Sequence, residues 1–392
     1  MKIVYLHTDP LPSPMAGSVF ALSTAVGLAK AGHETVLIMP RNRRTVAEAL
    51  EYYGVKPPEN LRILLPAPPA IELGSWRIAY SRRFFRAAFK LLQTEAVGAD
   101  GIIVRTLTLA QYLSRHELPA PLVYEMHDWY ADIERKWSGA EWMIDGKKLR
   151  RERFLQAVEK ETIPRLAGVI ALRRATGELM RQCYPAARVE VVPTGLDAPA
   201  ALPAVSAEPV VVYAGQLHKH KGLQLLFEAL KLAPDLRAII VGGGDPLADL
   251  KAEAARLGVE ARVEFTGHVP AAAVREHLSR GRVGVLPMRD CFFNRVLTSP
   301  LKIMEYYAAG LPVVTVDAPV TREVVEPEQT GLLAPFDDPA ALAGAMRRLC
   351  LDGELHARCR ARIEQLLPDL SWTRRGERIG RFLTELASPR PG

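Results

Sequence analysis

The sequence predicts two α/β domains in tandem, each a doubly wound parallel sheet covered by helices. Three observations carry this. At 392 residues the chain is longer than one hydrophobic core usually organises. Its short apolar runs, such as Val210–Tyr213 and Ala238–Val241, lack polar alternation, as strands buried on both faces do. These runs alternate with helix-length segments, and the same strand, loop, helix, strand order opens both halves.

In the first half, Lys2–Leu6 reads as a strand, followed by a loop rich in Asp, Pro, Ser and Gly. The helical stretch Val19–Ala31 ends at Gly32, and Glu34–Met39 is the next strand. Gly101–Val104, Leu122–Tyr124, Val169–Ala171 and Val189–Val192 continue the strand series. The Pro/Ala-rich stretch Pro199–Pro209 has little to bury and marks the break. The second half repeats the pattern with strand Val210–Tyr213, loop Ala214–Gly222, helix Leu223–Leu232 and strand Ala238–Val241. Val263–Phe265, Val283–Leu286 and Val313–Val316 follow as strands. The expected domains are 1–198 together with a C-terminal helix from about 375 to 392, and 199–374. Ligands of open parallel sheets sit at the carboxyl ends of the strands, so two such domains would bind theirs in a central cleft. The loops to read are 7–18, 125–129, 214–222, 242–246, 266–269 and 290–302.

Composition narrows the class. Hydrophobic residues at 48% and charged residues at 24% exclude a disordered chain and a fibrous repeat. No apolar run approaches the ~18 residues of a membrane span. Met1–Leu6 turns polar at His7, so no signal peptide is expected; the four scattered cysteines form no Cys-x-x-Cys pair, and a reducing cytoplasm is the expected compartment.

The loop Gly215-Gln216-Leu217-His218-Lys219-His220-Lys221-Gly222 offers cations and backbone N–H groups at a helix start, as an anion site does. It lacks the Gly-Lys-Ser/Thr order of a Walker loop. Val241-Gly242-Gly243-Gly244 follows a strand, but position 247 is Leu and the dinucleotide fingerprint G-x-G-x-x-G is not met. The stretch Thr298 to Val314 is more specific: Pro300 starts a helix, Gly310 ends it, and Glu305 stands three residues after Lys302 on an otherwise apolar helix. A carboxylate there is either a paired residue or an acceptor for a ligand's hydroxyl pair.

These residues, taken together, resemble the retaining glycosyltransferases of family 4, which have the GT-B fold. The resemblance runs through Val212-Tyr213-Ala214-Gly215 with Lys221-Gly222, Ile240 to Gly244, Val263 to Pro270, and Glu305 to Val314. It continues in Thr330-Gly331-Leu332-Leu333 with Asp337-Asp338-Pro339, and in Val123 to Asp128 of the first half. The resemblance implies that Lys221 holds the donor diphosphate, Glu305 accepts from the ribose hydroxyls, and His127 lies beside the transferred sugar. It places Gly17, Ser299, Pro300 and Leu301 near the phosphates and sugar, and His268 and Val269 along the base; Gly215, Gln216 and Gly243 complete the donor loops. Three departures stand out: position 297 is Leu where the family commonly has a second glutamate, Gln216 replaces an arginine, and Ala16-Gly17 replaces a glycine pair. Thr298, Ser299 and Lys302 are the residues expected to meet the sugar instead.

The activity implied is transfer of a sugar from a nucleotide diphosphate, uracil ahead of guanine, to an acceptor hydroxyl with anomeric configuration kept. The leaving diphosphate takes the acceptor proton while Lys221 meets its charge. No Asp-x-Asp motif occurs, so no metal is expected, and no cofactor beyond the donor. The rival readings are a nucleotide-sugar-binding protein without transferase activity and a nucleotide-sugar epimerase.

Net charge is +7, and the excess lies wholly in the first half, with 27 Lys/Arg against 20 Asp/Glu in residues 1–196 and 24 against 24 thereafter. Wound as a helix, Ser75–Leu92 places Arg82, Arg83, Arg86 and Lys90 on one face and Trp76, Tyr80, Phe84, Phe85, Phe89, Leu91 and Leu92 around the rest. That arrangement raises two expectations: docking on an anionic membrane with a lipid-linked acceptor, placing the protein peripherally on the inner face, or burial of the aromatics in the core. Nothing in the chain resembles a nucleic-acid module.

Overall fold

The structure, a computed structural model, describes residues 1–13, 15–42, 45–66, 76–299 and 301–388, without the side chains of 76–81, 271 and 272. The chain forms two units. Met1–Lys136, Ile144–Gly195 and Leu370–Gly392 make the first; Trp137–Met143 and Leu196–Asp369 make the second.

Seven strands build the first unit: β1 (Lys2–Leu6), β2 (Glu34–Ile38), β3 (Leu61–Leu64), β4 (Gly101–Val104), β5 (Leu122–Met126), β6 (Gly168–Ala171) and β7 (Val189–Val191). They form one parallel sheet in the order β3-β2-β1-β4-β5-β6-β7. Leu6 at the end of β1 is in register with Ile38 of β2 on one side and Val104 of β4 on the other. The strand order therefore reverses at β1, where a doubly wound sheet opens its ligand crevice. The connections are α1 (Ala16–Lys30), α2 (Val46–Tyr53), α3 (Trp76–Glu95), α4 (Leu107–Leu113), α5 (Ile133–Lys136), α6 (Gly146–Thr162) and α7 (Arg174–Cys183). The first helix starts three residues earlier than the apolar period suggests.

The second unit has a six-stranded parallel sheet, β8 (Val210–Ala214), β9 (Arg237–Val241), β10 (Val263–Gly267), β11 (Val283–Leu286), β12 (Val313–Val316) and β13 (Gly331–Ala334), in the order β10-β9-β8-β11-β12-β13. Helices α8 (Leu223–Leu232), α9 (Leu247–Arg256), α10 (Ala271–Ser279), α11 (Leu301–Ala308), α12 (Pro319–Arg322), α13 (Pro339–Leu351) and α14 (Gly353–Leu366) cover it. The last helix, α15 (Trp372–Ala387), belongs to the first unit and lies along α1, with the Phe20 and Trp372 rings edge to face at 5.3 Å. Its Ile379, Phe382 and Leu383 enter the same core as Ile3, Tyr5 and Leu37.

Two edge strands, β3 and β13, are absent from the strand series read in the sequence. β3 carries an exposed Arg62 between a buried Leu61 and a half-buried Ile63, and an edge strand needs no continuous apolar run.

Helix α3 spends most of its described apolar surface inside its unit. Phe84, Ala88 and Leu92 are buried at i, i+4 and i+8, while Phe85 and Phe89 lie against Tyr112 at 5.6 and 6.5 Å. Arg82, Arg83, Arg86 and Lys90 point to solvent. The Trp76 and Tyr80 side chains, and Ser75, lie outside the described residues. Among the described residues no helix is long and apolar enough to cross a membrane.

Candidate functional site

Each unit gathers polar and charged side chains on the loops that follow its strand ends. In the first unit β1 runs into His7, whose Nε2 lies 2.9 Å from Asp9 Oδ2 and whose Nδ1 lies 3.4 Å from Thr106 Oγ1. Thr106 and Thr8 share a further hydrogen bond of 2.8 Å. Arg105, one residue past β4, donates from Nη1 to the Gly17 carbonyl at 3.3 Å and stacks 4.2 Å over Phe20. Gly17 is the second residue of α1, and a Cβ there would fall 2.3 Å from Asp9 Oδ2 and 2.7 Å from His7 Nε2. Glycine is what lets the helix begin this close to the His7–Asp9 pair. Burial lowers the His7 pKa; it would raise that of Asp9, but the His7 hydrogen bond and Arg105 hold the carboxyl below its usual range.

His127 directly follows β5. The protein around it and the Arg105 guanidinium both lower its pKa, which keeps the imidazole neutral at neutral pH. The turn that carries it is anchored next door. Asp128 accepts from the Trp129 N–H at 2.8 Å and pairs at 2.8 Å with Lys136, which is closed to solvent and also pairs with Glu152 at 2.8 Å. The sequence marks loop 7–18 as a whole, but no local pattern separates His7, Asp9 and Arg105 from ordinary loop polarity.

In the second unit three strand-end loops are joined by their backbones. Gly215 N donates to Val241 O at 2.8 Å, Leu217 N to Gly243 O at 3.0 Å, and Gly242 N to Gly267 O at 3.0 Å. Gly215, Gln216, Gly243, His268 and Val269 therefore belong to one contiguous surface, with Gln216 and His268 exposed on it. Lys219–Lys221 is a 3₁₀ turn closed by Gly222 at φ +71°, where a Cβ would meet the Pro287 carbonyl oxygen at 1.7 Å. Burial and the nearby Lys302 ammonium pull the Lys221 pKa down to about 8. An ammonium held this way gains most from an anion beside it.

Helix α11 brings up the remaining candidates. Glu305 is exposed and pairs with Lys302 at 3.0 Å. Tyr306 accepts from Ala214 N at 3.0 Å and donates to Val285 O at 3.2 Å, fixing the helix to β8 and β11. Ser299 and Leu301 are half-buried beside it, and Pro300 lies outside the described residues. Thr298 turns inward, its hydroxyl donating to Asn294 Oδ1 at 3.0 Å, and Leu297 is buried. Asn294 escapes the sequence reading altogether. It sits fully buried in the π-helical turn Phe293–Leu297 and donates to His220 O at 2.9 Å and Arg289 O at 2.8 Å, holding the lysine loop. Among the described residues no group of three or more His, Cys, Asp or Glu is placed to hold a metal ion.

Two family models match the chain, "Glycosyltransferase Family 4" over residues 17–198 and "Glycosyl transferases group 1" over residues 197–366. A D-inositol 3-phosphate glycosyltransferase of Xylanimonas cellulosilytica is 26% identical, over 92% of this chain and 90% of the relative. Among solved structures, sucrose-phosphate synthase from Thermosynechococcus elongatus superposes with a TM-score of 0.73 at 19% identity, covering 98% of both chains. Anabaena HepE, solved with UDP and glucose, gives a TM-score of 0.67 at 20% identity over 98% of this chain and 99% of its own.

Proposed function

The chain belongs to glycosyltransferase family 4 and has the GT-B fold, and on that premise we propose that it moves a sugar from a UDP-sugar to an acceptor hydroxyl with retention of configuration, without a metal ion. The observation that carries this reading is the joined loop surface of the second unit, with Lys221 and Lys302 as its cations and Glu305 as its exposed carboxylate. In this reading the second unit holds the donor. Lys221 meets the β-phosphate, where charge grows as the glycosidic bond breaks, so its contribution is largest in the transition state. Glu305 accepts from the ribose hydroxyls, while Gly243, His268 and Val269 lie along the base, with Gly215, Gln216, Ser299, Leu301 and Lys302 around the phosphates and sugar. Thr298 acts through Asn294, since its hydroxyl is spent there.

The first unit takes the acceptor side. His127 remains neutral and serves as hydrogen-bond partner to a sugar hydroxyl, with Gly17 and the His7–Asp9 pair beside the same strand ends. The departing diphosphate oxygen accepts the acceptor's proton on the face it leaves, which preserves the anomeric configuration. The choice of UDP is supported by the UDP in the HepE structure. The acceptor is read as a lipid-linked or membrane-proximal glycan on the strength of the cationic face of α3 alone, because that helix's described aromatics pack within the unit.

The deciding experiment incubates the protein with a panel of UDP- and GDP-sugars after thorough chelation. Release of UDP and a product with the donor's anomeric configuration is expected. Inverted product, or turnover that returns only with magnesium or manganese, overturns the mechanism.

A further inference from the structure

The segment Trp137–Met143 leaves the first unit's chain path and packs in the second, at the loop that carries Lys221. Trp137, 6% exposed, stacks on Phe293 with ring centroids 5.6 Å apart and planes 6° from parallel. Phe293 meets His220 edge to face at 5.9 Å, and His220 stacks on His218 at 5.3 Å. Phe292 N donates to Ser138 O at 3.3 Å, and Gly139 rests against Cys291. Arg289 N and Asn294 Nδ2 both donate to the His220 carbonyl, at 3.2 and 2.9 Å. One aromatic ladder thus runs from Trp137 through Phe293 and His220 to His218, and Lys221 is the next residue after His220. A 3₁₀ turn of three residues has little internal stability, so its geometry depends on what it packs against.

We propose that Trp137 is a positioning residue for nucleotide diphosphate: through Phe293 and His220 it holds the Lys221 turn in the geometry that meets phosphate. The proposal rests on the reading of Lys221 as the diphosphate ligand. It states that the ladder acts on phosphate and leaves the nucleoside contacts alone, since those belong to other loops.

The test compares calorimetric binding of UDP and of uridine to the full chain, with GDP and guanosine run alongside. Trp137→Ala and Lys221→Ala are each expected to weaken the diphosphate about tenfold or more, as loss of a charged hydrogen bond does, and to leave the nucleoside unchanged. Trp137→Phe, which keeps a stacking ring, restores wild-type affinity. Phe293→Leu preserves volume without a ring and reproduces the Trp137→Ala loss, which covers the case where Trp137→Ala does not fold. The double variant Trp137→Ala/Lys221→Ala binds UDP no more weakly than Lys221→Ala, because one residue acts through the other. Losses that multiply, equal losses for UDP and uridine, or failure of Trp137→Phe to rescue overturn the proposal. Wild-type diphosphate affinity in Trp137→Ala beside a defective Lys221→Ala overturns the ladder alone. Wild-type affinity in Lys221→Ala overturns the donor-site reading beneath it.

Discussion

Arg375 and Glu125, 250 residues apart in sequence, form an ion pair sealed inside the first unit. Arg375 comes from α15 and Glu125 from β5, two residues before His127. The same guanidinium donates to the carbonyls of Val192 at 2.5 Å and Pro193 at 2.6 Å, and Tyr5 donates its hydroxyl to the second Glu125 oxygen. Both charges are fully desolvated, so removing one strands the other. Arg375→Met and Glu125→Gln should each destabilise by about 3–5 kcal/mol, and the double variant Glu125→Leu/Arg375→Met by less than the sum of the two, since both members of the sealed pair leave together and only Arg105, 4.0 Å from Glu125, loses a carboxylate neighbour. Shifts of the urea midpoint for the first-unit transition measure this. Additive single losses would show that the pair acts as two separate contacts.

Lys221→Ala and Glu305→Ala should fail differently. If Lys221 meets the charge that develops as the diphosphate leaves, as proposed, turnover falls by about tenfold to a hundredfold. In the same proposal Glu305 contacts a part of the donor that does not react, so donor KM rises while kcat is nearly kept. Its pairing with Lys302 is exposed and worth at most about 1 kcal/mol, so Glu305→Ala leaves thermal stability essentially unchanged. Steady-state kinetics on both variants decide it; equal small effects would misplace the site.

UDP affinity should fall as pH rises through about 8, where burial and Lys302 have placed the Lys221 pKa. Below that value the ammonium is present and ready to pair; above it, binding must first recruit a proton, at a cost of up to about tenfold in affinity per pH unit. The stability effect has the opposite sign. The folded pKa lies below the ordinary lysine value, so the charged group costs the unliganded protein stability below pH 8, and that cost is relieved as pH climbs above it. Lys221→Arg keeps its charge throughout and should flatten the alkaline limb. A limb that persists in Lys221→Arg belongs to another group.

Helix α3 should bind anionic vesicles through charge alone. With Phe84, Ala88 and Leu92 buried in the unit, Arg82, Arg83, Arg86 and Lys90 supply about 1 kcal/mol each near an anionic surface and little insertion. Co-sedimentation with phosphatidylserine vesicles is expected at low salt, lost at high salt and lost in Arg82→Ser/Arg83→Ser/Arg86→Ser. Equal binding to neutral vesicles, or binding that survives salt, contradicts it.

Periodicity and local chemistry are legible along the chain. Strands buried on both faces announce themselves as apolar runs, which is why β1, β4, β8 and β11 can be read without coordinates. The Lys302–Glu305 pair follows from helical spacing alone, and the glycines of the strand-end loops mark backbone turns. What tertiary structure decided lies beyond the reach of such patterns. The edge strands β3 and β13 pair on one side only; Arg62 interrupts the apolar run of β3, and the four residues of β13, Gly331–Ala334, are too short a run to separate a strand from a loop. Glu125 meets Arg375, His7 and Asp9 meet Arg105 and Gly17, and Trp137 reaches Phe293 only once distant segments are packed together. Asn294 looks like any loop asparagine until burial forces its amide to satisfy the His220 and Arg289 carbonyls. Local patterns encode which face of an element is apolar; which partner a buried polar group finds is set by the register of two sheets and the paths of the loops between them.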